Sequence, residues 1–217
     1  MTETAQKTAL ITGASRGLGS ALALALAPTH HIIAVARTQG GLEDLDDNIK
    51  ALGGTATLVP MDLTDEGACE YLGSSLAQRW GGVDLWAHTA IHGAPLTPAA
   101  HIDNKDFDKS LAGNVNMTRF LIRAVEPLLR AKQGRAMFFD DTTIGEKFYG
   151  SYGATKAAQI AIVKNWQAET VNTGPEVLIS APDAMGTGLR ARFFPGEDKS
   201  TLADIRAEAT KVVSLLG

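Results

Sequence analysis

The stretch 8-TALITGASRGLGSALALALA-27 decides the fold. Its apolar opening, Thr8 to Ile11, reads as a buried strand, and the run of alanine and leucine from Ser20 onward has the composition of a helix. Between them, 12-TGASRGLG-19 carries glycines at 13, 17 and 19. That spacing allows a tight turn, close approach of a phosphate to the backbone and close packing of the helix on the strand. The helix N-terminus meanwhile presents free amides to an anion. Strand, glycine loop and helix in this order form a dinucleotide-binding unit by mechanism.

Working outward, short apolar runs alternate with longer stretches of helical period. Strands are expected near 7–12, 31–36, 56–60, 83–87, 134–139 and 176–180. Helices are expected near 17–27, 41–52, 65–79, 104–132, 152–172 and 201–215. Helical connections are what parallel strands require. The expected fold is α/β: a doubly wound parallel sheet of about six strands in a Rossmann-like three-layer α/β/α arrangement. Glycines at 53–54 and 81–82 and the pair Gly174-Pro175 mark helix-to-strand turns without a shift of composition, so residues 1–217 are read as one domain.

Composition narrows the function. The chain has 217 residues, 45% apolar and 20% charged, with a net charge of -4. That balance gives no polyanion-binding signature, and nucleic acid is not expected as a partner. The opening MTETAQKTALITG lacks the features of a signal peptide, and no stretch approaches membrane-spanning length. One cysteine, Cys69, excludes an internal disulfide framework and a cysteine-built metal site. A cytoplasmic location is the resulting expectation, with no membrane partner.

At the end of the second strand, 34-AVART-38 places Arg37 and Thr38 where an acidic residue would bind the ribose 2′-hydroxyl of NAD. Arg37 and Arg16 suit a 2′-phosphate, through charge and paired donors, so NADP is the expected cofactor. Asp62 and Leu63, after the third strand, are placed for the adenine; Asp62 also reads as a helix-leading acid. Farther on, 145-GEKFYGSYGATKAA-158 sets Tyr152 about one helical turn before Lys156, on one face. A phenol titrates near pKa 10, and a neighbouring ammonium favours its ionised form, bringing it toward useful acid-base chemistry.

These pieces together resemble the short-chain dehydrogenase/reductase family over nearly the whole chain. The matching residues are TGASRGLG at 12–19, Asp62-Leu63, Asn114 in 111-LAGNVNM-117, the Tyr152-x-x-x-Lys156 pair and 182-PDAMGTGLR-190. The wording 113-GNVNMTRF-120 and 187-TGLRARFFPGED-198 looks closest to small bacterial members. The resemblance implies that Tyr152 is the general acid, that Lys156 binds the nicotinamide ribose and lowers the tyrosine pKa, and that Asn114 holds a proton-relay water. It implies cofactor contacts from Gly13, Ser15, Arg16, Gly17, Leu18, Gly19, Arg37, Thr38, Asp62, Leu63, Ala90, Tyr152, Lys156, Pro182 and Thr187. It also implies pairing of the helices at 104–132 and 152–172 into a homodimer or homotetramer, here without an evident seventh strand.

The chain departs from the family pattern at three places. Where Asn-Asn-Ala-Gly is usual, 88-HTAI-91 keeps only Ala90, and Ile91 adds volume beside the expected cofactor ribose. His88 and His92 are four apart, but a strand end does not give them the shared face of a helical metal pair, and no metal is expected. Asp183 stands where a glycine usually follows the proline. The serine that orients the carbonyl is missing. Counting back from Gly145 selects Thr142 in its place, and counting forward from Gly134 selects Asp141. A threonine keeps a hydroxyl donor, whereas an ionised aspartate only accepts and repels an oxyanion, so Thr142 is the candidate. The leading reading is an NADP(H)-dependent oxidoreductase acting on a small carbonyl or alcohol. The alternative is a catalytically impaired dinucleotide-binding protein acting as a sensor or interaction module.

Overall fold

The computed structural model describes residues 6–216. Met1–Ala5, part of the segment read above as lacking a signal peptide, and Gly217 lie outside the described residues. Six strands, β1 (Lys7–Thr12), β2 (His30–Ala36), β3 (Ala56–Pro60), β4 (Leu85–His88), β5 (Arg135–Phe139) and β6 (Glu176–Ser180), form one parallel sheet in the order β3-β2-β1-β4-β5-β6. The order reverses between β1 and β4. At such a switch point the loops leaving the two strands diverge, opening a crevice at their carboxyl ends.

Helices cover both faces. They are α1 (Gly17–Leu26), α2 (Gln39–Ala51), α3 (Glu66–Trp80), α4 (Asn104–Ser110), α5 (Met117–Lys132), α6 (Gly150–Thr170), α7 (Gly188–Phe193) and α8 (Ile205–Ser214). Successive residues of β1 point to opposite faces. Ala9 and Ile11 pack with Leu22 and Leu26 of α1 and with Ala209 and Val212 of α8. Leu10 joins Trp86, Leu121, Val125, Phe138 and Trp166 on the other side. Burial on both faces is why the central strands β1, β2, β4 and β5 read as continuous apolar runs and not as alternating ones. The helix ends are chemically marked. Asp65 accepts from the Ala68 amide at 2.7 Å to open α3, and Gly81, at φ 69°, closes it in the left-handed region.

Two expectations about the elements are corrected, and one element is added. The helix expected over 104–132 is interrupted by a π-helical turn at Leu111–Asn116. The last helix starts at Ile205, after Asp204 caps it by accepting from Ala207, and not at 201. The region after Met185 holds a short helix, α7, capped by Thr187, whose hydroxyl accepts from the Arg190 amide at 3.2 Å.

Candidate active site

A cleft of about 740 Å³ opens at the carboxyl ends of the strands. It is lined by the glycine loop, by Arg37, Asp62, Ala90, Tyr152 and Lys156, and by the segment from Pro182 to Phe194. Backbone geometry builds the floor. Gly13 sits at φ 90° and Gly17 at φ 58°, conformations open to glycine. A side chain at Gly13 would lie 2.5 Å from the Ala90 nitrogen, and one at Gly19 would lie 2.3 Å from the Gly13 carbonyl oxygen. Thr89 and Ala90 donate their amides to the Thr12 carbonyl at 2.8 and 2.9 Å, and the Thr89 hydroxyl donates to the same oxygen at 2.9 Å. Thr89, a departure from the expected pattern, thus ties the end of β4 to the start of the loop. Thr187 stands over Gly17, with its methyl 3.5 Å from where a side chain there would begin.

The cradle suits an extended anion. Ser15, Arg16, Leu18 and Gly19 line it at the N-terminus of α1. Arg16, Arg37 and Thr38 are exposed at its mouth. Neither arginine makes an ion pair or side-chain hydrogen bond among the described residues. Their donors remain available to a phosphate. Asp62 accepts from the Thr64 amide and hydroxyl at 3.0 and 2.9 Å, which fixes the turn beside buried Leu63.

Tyr152, buried on the first turn of α6, donates its hydroxyl to Asp141 Oδ2 at 2.6 Å. The other Asp141 oxygen accepts from the Thr143 amide and hydroxyl at 2.9 and 2.7 Å. Thr142 also lines the cleft, but it is exposed and its hydroxyl makes no hydrogen bond among the described residues. The residue that meets the tyrosine is therefore Asp141, as counting forward along β5 selects, and not Thr142. The expected depression of the phenol pKa is also reversed. Burial, followed by the charge and hydrogen bond of Asp141, pushes Tyr152 well above the ordinary tyrosine value. Burial pushes the Asp141 carboxyl up, yet the hydrogen bonds from Thr143 and Tyr152 and the charge of Lys156 outweigh it and hold the group low.

Lys156 turns toward a different partner. Its ammonium donates to Gln159 Oε1 at 2.7 Å, and burial pulls its pKa down to about 8 against the opposing charges of Asp141 and Asp140. Gln159 Nε2 donates to Thr118 Oγ1 at 2.8 Å, and that hydroxyl gives its own proton to the Asn114 carbonyl at 2.8 Å. His88 lies 3.3 Å from Thr118 through Nε2 and 2.8 Å from Thr12 through Nδ1. Trp86 donates to the same Thr12 hydroxyl at 3.1 Å. Because the Thr118 proton is committed, full satisfaction requires His88 to carry its proton on Nε2 and accept from Thr12 on Nδ1. Burial and the Lys156 charge hold His88 neutral, with its pKa lowered to about 3. The chain runs from Lys156 through Gln159, Thr118, His88 and Thr12 to Trp86.

Asn114 occupies the π-helical turn between α4 and α5. Its side chain clamps the backbone of His92, accepting from the amide at 2.7 Å and donating to the carbonyl at 3.0 Å, and it also donates to Thr155 at 2.9 Å. The clamp joins the loop after β4 to α6, two walls of the cleft.

The family model for short chain dehydrogenases matches residues 7–198. The chain belongs to that family. Its members are oxidoreductases that bind a nicotinamide dinucleotide. A sorbitol dehydrogenase of Cereibacter sphaeroides is 31% identical over 200 residues, covering 88% of this chain and 77% of that protein. A 3-oxoacyl-[acyl-carrier-protein] reductase of Vibrio cholerae is 26% identical over 208 residues, covering 93% and 82%. The chain spans 58% of a fatty acyl-CoA reductase of Acinetobacter baylyi, at 30% identity over 76% of its own length. Among solved structures, a short chain dehydrogenase of Pseudomonas syringae superposes with a TM-score of 0.90 at 27% identity, over 97% of this chain and 89% of that one.

Against the pattern of short-chain dehydrogenases, the departures acquire physical roles. His88 is a neutral link in the buried polar chain, with both ring nitrogens engaged. Ile91 lines the cleft and packs toward Tyr149, Tyr152 and Phe193. Asp183 accepts from the Lys211 ammonium at 3.0 Å and donates its amide to Glu208 at 3.1 Å, fastening the segment after β6 to α8. Phe193 is buried against the two tyrosines, while Arg190 pairs with Glu197 and Arg192 donates to the Gly93 carbonyl at 2.6 Å. Sequence reasoning missed Gln159, Thr118 and Tyr149. Gln159 had a signal, since it lies one helical turn beyond Lys156 on the buried face of α6.

Proposed function

We propose that the protein transfers a hydride between NADP(H) and a small carbonyl or alcohol, and that residues 1–217 form one Rossmann-type unit carrying both cofactor and substrate sites. The observation that carries this reading is the convergence of the glycine cradle, the exposed Arg16 and Arg37, and the buried Tyr152 and Lys156 in one cleft. The names of the sorbitol dehydrogenase and the oxoacyl reductase both describe carbonyl-alcohol interconversion.

In this reading Gly13 to Gly19 hold the pyrophosphate, Arg16, Arg37 and Thr38 the 2′-phosphate, Asp62 and Leu63 the adenine, and Ala90, Pro182 and Thr187 the nicotinamide half. When bound, the cofactor supplies or takes the hydride. The chain's own part is proton management. Tyr152 holds a proton that passes to the substrate oxygen as negative charge develops there, and the Lys156 cation stabilises the phenolate left behind. Asn114 keeps the relay side of the cleft in place, and Thr142 lines the rim where a substrate enters. A homodimer or homotetramer in the cytoplasm, built through α4, α5 and α6, completes the proposal. NADPH binding by fluorescence titration, together with NADPH consumption over a panel of small aldehydes and ketones, tests it. Binding without any consumption would contradict it.

A further inference from the structure

Tyr149 is buried, 5% exposed, and its hydroxyl is the one buried side-chain nitrogen or oxygen among the described residues with no hydrogen-bond partner. It lines the active-site cleft. Leaving a buried hydroxyl unpaired is costly, so each such group calls for an explanation. Its ring meets Phe193 edge-on with centroids 5.2 Å apart, Tyr152 lies 5.0 Å from the same ring, and the two tyrosine rings are 6.2 Å from each other. Both phenols are thus seated on one apolar wall. The backbone is also forced there. Phe148, a bulky residue, adopts φ 74°, and its carbonyl accepts from the Thr97 amide at 2.8 Å, which fixes the turn that delivers Tyr149.

We propose that Tyr149 is a second substrate-binding donor, whose hydroxyl holds the same carbonyl oxygen that Tyr152 protonates. The proposal rests on the function given above. The other groups near Tyr152 do not fill this role: ionised Asp141 only accepts, the Thr143 hydroxyl is committed to Asp141, and Thr142 is exposed. Burial, followed by the Asp141 charge, holds the Tyr149 pKa above the ordinary value, so its proton is present at neutral pH. An sp² oxygen has two lone pairs and accepts from two phenols at once, whereas the nitrogen of a C=N bond has one. Two donors therefore select a carbonyl over an imine.

Tyr149→Phe, Tyr152→Phe and the unmodified protein, assayed for NADPH consumption with small ketones and aldehydes, test the assignment. Tyr149→Phe removes one oxygen and keeps the ring. Its kcat/KM is expected to fall by about 10²- to 10³-fold, mostly in kcat, with unchanged NADPH affinity. Because the oxygen lost is unpaired, thermal unfolding should stay where it was or rise by up to about 4 °C. A purely structural hydroxyl would instead lower the unfolding temperature. That fall, or an undiminished kcat/KM in Tyr149→Phe while Tyr152→Phe is inactive, overturns the role of Tyr149 alone. An inactive unmodified protein, or an undiminished Tyr152→Phe, overturns the proposed function along with it.

Discussion

Lys156 donates its ammonium to Gln159 Oε1 at 2.7 Å within one turn of α6. The amide is itself oriented, because its nitrogen is spent on Thr118 at 2.8 Å. The carbonyl end of Gln159 is thereby fixed toward the lysine and favours its charged form. With the Lys156 pKa lowered to about 8, activity that needs this cation should fall as pH rises through that value. Gln159→Leu removes the acceptor and should shift this limb of the kcat/KM profile to lower pH. Gln159→Glu should shift it upward. Identical limbs in all three proteins would show that Lys156 is not the group seen.

The buried imidazole makes a prediction about acid stability. His88, 3% exposed, is lowered from 6.5 to about 3. Below pH 6.5 the unfolded chain binds a proton there that the folded chain refuses, so stability falls as pH drops from 6.5 toward 3. Between pH 7 and pH 5 this one group should cost about 2 kcal/mol. His88→Gln lacks the proton uptake, and its urea midpoint should change correspondingly less over that interval. An equal change in both proteins would remove His88 from the account.

The bond between Tyr152 and Asp141 bears on direction. Reduction needs a phenol proton, whereas alcohol oxidation needs the phenolate as base. The carboxylate keeps the proton on Tyr152, so reduction should dominate at neutral pH. Asp141→Asn removes the charge, and alcohol oxidation at alkaline pH should rise on the order of tenfold. Initial rates in both directions, with and without the substitution, provide the comparison.

The proposed preference for NADP rests on the rim of the cleft. Arg37 lies after β2 without an ionic partner among the described residues, ready for a 2′-phosphate. NADPH should bind more tightly than NADH by about tenfold or more, and Arg37→Asp should reverse or abolish the difference. Equal affinities in the unmodified protein would contradict the assignment.

Elements were legible in the sequence where local pattern and burial agree. Six apolar runs became the six strands, the four central ones covered on both faces and the edge strands β3 and β6 only half-buried. The glycine spacing reported the loop directly, since backbone meets backbone at Gly13 and Gly19 and Gly17 takes a positive φ. The partners of Tyr152 were not legible. Asp141, Thr142 and Thr143 all carry oxygen in consecutive positions, and only the path of the chain beyond Phe139 decides which one reaches α6. The polar chain through His88 joins residues far apart in sequence, with no periodic signal to connect them. Along α6, Ala157 is exposed, whereas Ile160 and Trp166 are buried within the same chain.

The most direct measurement of the account is NADPH consumption by the unmodified protein and by Tyr152→Phe, on a carbonyl that turns over, with NADPH affinity measured alongside. Loss of at least about 10²-fold in kcat/KM with NADPH affinity retained is the predicted result. Turnover by Tyr152→Phe at the rate of the unmodified protein would contradict it.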